Sequence, residues 1–201
     1  VLLGISTLNV IGMTGAVYQM VAHGLVAGIT FMLIGLLYER THTKDINDYG
    51  SLIGVTPRLA FFTILALIAG VGLPGTAGFV AELHVMIGGF QHWSWIMLIL
   101  SFGIIVSAAY NMRTVKRLFT GPTKKSMQGI PDLRPTELIA ASVLMMGILL
   151  LGIYPSLVLD VISPAVNDFI LQITLATDVA SVDAPANVPV NALIVSGGID
   201  N

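Results

Sequence analysis

The sequence predicts an all-α fold: a polytopic transmembrane helical bundle of about five full spans plus a partial first one, with a broken helix near residues 72–82. Three observations predict it. First, 55% of the 201 residues are hydrophobic and only 10% are charged, whereas soluble domains carry about 25% charged residues. The mean hydropathy of +0.90 leaves no polar coat for a soluble core. Second, the charges sit in patches between apolar runs long enough to cross a hydrocarbon layer, which takes ~20 helical residues. Third, Gly72-Leu73-Pro74-Gly75 interrupts one apolar stretch and is followed closely by a single acid, Glu82.

In chain order, residues 1–10 read as the end of a helix. Val1 lies within an apolar stretch with no basic segment or cleavage pattern before it, so the sequence reads as a piece with residues missing upstream. Asn9 to Gly15 reads as a short turn, and Met13 to Tyr38 as the first full span. Gln19, His23 and Thr30 then share one stripe of that helix, at spacings of four and seven. Thr41 to Pro57 is a polar loop, with Pro57 suited to the first turn of the next helix. Arg58 to Val71 is a helix, Gly72 to Gly75 a break, and Thr76 to about Gly89 a further helix.

Gly88 to His92 reads as a linker, with Trp93 and Trp95 as interface anchors. The span from Trp95 becomes basic toward Phe119. Arg113 to Arg134 is a second polar stretch with six cations: Arg113, Lys116, Arg117, Lys124, Lys125 and Arg134. Pro135 to Tyr154 is the last span, and Pro155 stops it. Asp160 to Thr174 reads as an amphipathic or partly buried helix, and the chain from Thr177 as a loose tail.

Two rules conflict over residues 58–89. The positive-inside rule favours one broken span, which puts both cationic loops on the same side. Length favours two short spans joined by the Gly-Pro turn, because a single helix of that size would be ~48 Å long against a ~30 Å core. Length is the stronger expectation.

Glu82 is the leading candidate for chemistry. An ionisable group at membrane depth costs roughly 3 kcal/mol on insertion scales, and function is the usual compensation. Gly75, Gly78, Met86 and Gly89 lie near its face of the helix, and small residues let another backbone approach. This face therefore points into the bundle. Gly72, Pro74, Gly75 and Gly78 permit an unwound backbone, tolerated at that depth only within protein or beside water. The opposing reading is a structural acid held by a neighbour.

His23 is the second candidate, because an imidazole titrates near neutral pH and suits proton relay. A core histidine bonded to a backbone carbonyl is the plainer alternative. Gln19, Thr30, Ser107 and Asn111 are candidates for a polar path; Ser107 and Asn111, which share a face of their helix with Thr114, are equally candidates for interhelical hydrogen bonds. His84, two residues from Glu82, points away from it and reads as a packing or partner contact. His42 and His92 fall in loops.

The absence of cysteine excludes disulfides and iron–sulfur clusters held by this chain. No phosphate loop, dinucleotide fingerprint, metal-ligand spacing or nucleophile–His–acid set is present. The residues give no basis for redox or hydrolytic chemistry within the chain, and assign neither catalytic nor metal-binding residues.

Three motifs in order carry a resemblance: Tyr18-Gln19-Met20-Val21-Ala22-His23-Gly24-Leu25, Leu37-Tyr38-Glu39-Arg40-Thr41-His42-Thr43 and Gly72 through Glu82. Together they resemble the antiporter-like membrane subunits of proton-translocating NADH:quinone oxidoreductase (respiratory complex I), most closely the subunit M, or chain 4, type. The resemblance covers residues 1 to about 160 and implies the last third of a fourteen-span subunit. By resemblance, Glu82 is the acid of a broken helix at the exit end of a proton path, and His23 is a relay histidine. Glutamate where sister subunits have lysine favours the M type. His84 departs from the apolar residue expected there.

The resemblance further implies that 1–160 is the C-terminal part of an antiporter-like proton-translocating domain, with 161–201 a C-terminal helix and tail. NADH, FMN, iron–sulfur clusters and quinone would belong to partner subunits, and other membrane-arm subunits and the lipid bilayer would be the partners, with no nucleic acid. The expected location is a bacterial inner membrane, the mitochondrial inner membrane being the alternative. Competing functions are a subunit of a multisubunit Na+/H+ antiporter or membrane-bound hydrogenase, and a structural subunit that conducts nothing.

Overall fold

The structure is a computed structural model that describes residues 1–183. These form α1 (Leu2–Ser6), α2 (Val10–Thr41), α3 (Leu52–Val55), α4 (Pro57–Ala69), α5 (Ala77–Trp93), α6 (Trp95–Phe119), α7 (Pro135–Ile153) and α8 (Ser156–Asp183). The protein is a multi-pass membrane protein. Helices α2, α6, α7 and α8 (as far as Thr177) are each long and apolar enough to cross a membrane, while α4 is shorter.

The axis of the bundle is α2, which starts earlier than the sequence suggests. The Asn9 side chain accepts a hydrogen bond from Gly12 N–H at 2.7 Å and caps the helix. Gly12 and Gly15 are therefore helical, and their small size serves packing instead of a turn. Gly12 meets the backbone of Gly88, and Gly15 meets Ala81, His84 and Val85. For the same reason Gly88 and Gly89 do not form a linker: α5 runs through them to Trp93, Gly88 touching α2 and Gly89 touching Met97 of α6.

Residues 58–89 do not fold back on themselves as the length argument expects. They run antiparallel to α2 as one crossing in two pieces. Gly88 lies at Gly12, Ala81 at Gly15 and Gly70 at Val26. Arg58 and Arg40 both bond Asp132, one through its carboxylate and one through its carbonyl. Length does not force two spans, because α2 itself runs 32 residues without interruption, about 48 Å; the helices of this bundle reach beyond the hydrocarbon core or tilt within it. The charge rule was the better guide.

With one broken crossing the two polar loops share a side, and they are bonded together there. Arg40 pairs with Glu137 and donates to Pro131 O at 3.0 Å. The Asp132 carboxylate accepts Arg58 N–H at 2.9 Å and Leu59 N–H at 3.0 Å, capping α4 from the other loop. Lys124 donates to Asn47 O. Arg113, Lys116 and Arg117 are not in the loop but on α6, which remains helical to Phe119.

Helix α8 is longer than expected and follows α7 along α2. Gly147 lies beside Leu25, the Tyr18 hydroxyl bonds Leu151 O, and Val161, Ile162 and Val166 line a cleft with Val17 and Met13. Pro155 has no N–H and ends the α7 ladder, and its carbonyl starts α8. Thr177 to Asp183 is helical, so the expected tail begins as helix; its remainder, 184–201, lies outside the described residues.

Candidate functional site

The break between α4 and α5 is set by local chemistry. The end of α4 tightens, with Val71 N–H bonding Ile68 O and Gly72 N–H bonding Ala69 O. Pro74 disfavours helix at Leu73. Gly72 and Gly75 take φ of +80° and +93°, a region L side chains rarely enter. Extended Thr76 then starts α5, its hydroxyl donating to Leu73 O at 2.7 Å.

Glu82 lies in the second turn of α5. Side chains on a helix lean toward its N-terminus, so the carboxylate reaches back over the break to Gly72. A Cβ built on Gly72 would collide with Glu82 Oε2 and stand 2.9 Å from its Cδ. The residue is half-buried. Neither carboxylate oxygen makes a hydrogen bond or ion pair among the described residues. The positive end of α5 is the one electrostatic support its own helix offers.

Four helices pack together beside this point. Tyr18, Ala22, Ala77 and Ala81 form a buried cluster, against which Leu151, Val158, Leu159 and Ile162 pack. The Tyr18 hydroxyl donates to Leu151 O at 2.6 Å. Gly152 lies directly on the carbonyl of Gly75, and a Cβ on Gly78 would be 3.2 Å from Ala69 O. Small residues thus let α2, α7 and both halves of the broken helix converge on the turn.

The other candidates are distributed differently. His23 follows buried Ala22 but is itself exposed, and Gly24 and Gly28 border open space on that face. The shared stripe on α2 is present, yet Glu82 and His23 are not hydrogen-bonded to each other. Gln19 is half-buried, and its Oε1 is buried without a hydrogen bond among the described residues. Thr30 donates to Val26 O at 2.7 Å.

Ser107 and Asn111 are bonded within α6, Asn111 Nδ2 donating to Ser107 O at 3.0 Å. His84 packs on Gly15, with its Nδ1 2.8 Å from Val80 O, consistent with a packing role. His42 caps α2 and is exposed; His92 belongs to the last turn of α5, not to a loop. Sequence reading missed Tyr18 and Gly152. A signal existed for the first, since a tyrosine hydroxyl inside an apolar span must find a partner. Gly152 carried none.

The chain is similar to known proteins over most of its length. A family model described as "NADH:quinone oxidoreductase/Mrp antiporter, TM" matches residues 1–107. NADH-quinone oxidoreductase subunit M of Rhodobacter capsulatus is 40% identical over 167 residues, which is 83% of this chain and 33% of that protein. A chain of respiratory complex I from Thermus thermophilus superposes with a TM-score of 0.76 at 30% identity, over 84% of this chain and 36% of that one. A chain of the Mrp complex from Dietzia sp. superposes with a TM-score of 0.69 over 81% of this chain and 39% of that one; at 19% identity it shares the fold. The chain spans about a third of the length of the curated relatives it matches. By the family model, which matches more than half its length, the chain belongs to the NADH:quinone oxidoreductase/Mrp antiporter transmembrane family.

Proposed function

We propose that this chain is the C-terminal part of a proton-translocating membrane-arm subunit of NADH:quinone oxidoreductase, and that residues 1–160 belong to its antiporter-like domain. The observation that carries the reading is the Glu82 carboxylate, held at a break in a transmembrane helix with no partner among the described residues. A buried acid paired to a cation is fixed in one state; an unpaired one can change state when charges nearby change. Glu82 takes up and releases a proton, and His23, on the open face of α2, passes protons toward it through water and polar side chains such as Gln19. Thr30, Ser107 and Asn111 are the remaining candidates for that polar path. The relatives named subunit M support the coupling to NADH oxidation.

In this reading NADH, FMN, iron–sulfur clusters and quinone are bound by partner subunits, and the other membrane-arm subunits flank this one. The bacterial relatives favour a bacterial inner membrane.

The test is Glu82→Gln in the full-length protein within the assembled complex. NADH-driven proton uptake by membrane vesicles should be lost, while the variant subunit is recovered with its partner subunits at the wild-type amount when the complex is purified. Unchanged pumping per NADH makes Glu82 structural and ends the proposal. His23→Ala should reduce pumping less than Glu82→Gln does, since water can replace one relay member but not the terminal acid. Sodium-dependent transport without NADH oxidation would move the chain to the Na+/H+ antiporter branch of its family.

A further inference from the structure

We propose that Gly72 is a positioning residue: its missing side chain is the seat of the Glu82 carboxylate. The inference rests on the reading that Glu82 carries a proton, and adds what holds that group in place. Two glycines in the break have left-handed backbone, Gly72 at φ +80° and Gly75 at φ +93°. Backbone conformation alone accounts for glycine at both. Their surroundings differ. A Cβ on Gly75 would meet nothing within 4 Å. The three atoms nearest to a Cβ on Gly72 would all belong to Glu82: Oε2, then Cδ at 2.9 Å and Oε1 at 3.3 Å.

The volume where any other residue would put its Cβ is thus filled by the carboxylate. This gives the acid a fixed location without a hydrogen-bonding partner among the described residues, so it is held in place by shape while its charge stays free to change. The seat itself is anchored. Gly78 stacks on Ala69 O just before Gly72, and Gly152 of α7 lies on the Gly75 carbonyl just after it.

Because the atom that a new Cβ would strike is the far end of a flexible side chain, Gly72→Ala displaces the carboxylate. Gly75→Ala imposes a comparable backbone strain and no collision, so it is the matched control. In the full-length protein within its complex, at equal amounts of assembled complex, pumping by Gly72→Ala should fall between about tenfold and a hundredfold below that of Gly75→Ala, as expected for misplacing a reacting group by an ångström or so.

A second readout needs no pumping. Labelling of Glu82 by a hydrophobic carbodiimide, followed by mass spectrometry, should be several-fold faster in Gly72→Ala than in Gly75→Ala. Equal labelling in the two variants overturns the seat, whatever Glu82 does. Loss of pumping in Glu82→Gln with equal labelling keeps the proton reading and removes only this inference. Normal pumping in Glu82→Gln removes the proton reading, while the labelling contrast still decides the seat. If Gly72→Ala does not assemble, Glu82→Asp serves instead. Its shorter side chain withdraws the carboxylate from Gly72 and should also label several-fold faster than wild type; wild-type labelling overturns the proposal.

Discussion

The two places where this bundle gathers polar groups handle charge in opposite ways. At the loop end the half-buried charges among the described residues, Arg40, Asp132 and Glu137, are all matched. Arg40 meets Glu137 and also donates to Leu36 O, Pro131 O and Asp132 O. Asp132 accepts three backbone N–H groups, from Arg58, Leu59 and Leu133. At the break, Glu82 is half-buried and has no hydrogen-bond or ion-pair partner among the described residues; its carboxylate lies where a Cβ on Gly72 would be. Matched charge locks geometry, because neither member can change state without exposing the other. Unmatched charge is costly to keep and free to change, which is why the proposed proton transfer is assigned to the break and not to the loop end.

Breaking that comparison at the break itself should give the largest effect on activity. Glu82→Gln keeps shape and removes the titratable proton, so it should abolish pumping while leaving assembly intact. Breaking it at the loop end should do the reverse. Arg40→Met leaves Glu137 without its cation and should cost about 3 kcal/mol of stability, read as a lower thermal midpoint of the purified protein and less chain in the membrane. Adding Glu137→Gln, which retains an acceptor for Arg134 N–H, should recover most of the loss. A double variant no more stable than Arg40→Met would show that the charge match is not what matters.

The smallest effect should come from Asp132. Burial alone would raise its carboxyl, but the three backbone donors and the Arg58 charge outweigh this and hold it below its ordinary value. Asp132→Ala removes the cap of α4 and should cost about 1 kcal/mol. The sign of the pH dependence follows. The stabilisation is fully present above the ordinary carboxylate range near pH 4 and is lost as pH falls through the depressed folded value. Thermal midpoints of wild type and Asp132→Ala should therefore differ at pH 7 and converge in acid. A gap that persists at low pH would mean Asp132 acts by packing and not as an acceptor.

Much of this was legible in the residues because membrane burial leaves few options. Apolar runs must be helices, and an acid among them needs a reason to be there. Glu82 and the Gly72–Gly75 break were therefore readable, and so was Pro57 at the start of α4. What failed were inferences that treat glycine as punctuation. Gly12, Gly15, Gly88 and Gly89 suggested a turn and a linker, and all four lie inside helices where another element comes close. Glycine in a sequence marks either a bend or a close approach, and only the neighbour decides which. The histidine on the α2 stripe was readable as a polar position, but its exposure was not.

The sequence by itself determined the helical membrane class, the position of the break and the identity of its acid, since hydropathy, proline and left-handed glycine act through the local chain. Only the tertiary structure decided that residues 58–89 make one crossing and not two, that both basic loops therefore meet on one side, and that Glu82 rests on Gly72. Each of these depends on which segments lie along α2, and packing between distant segments is set by shape complementarity that no local pattern encodes.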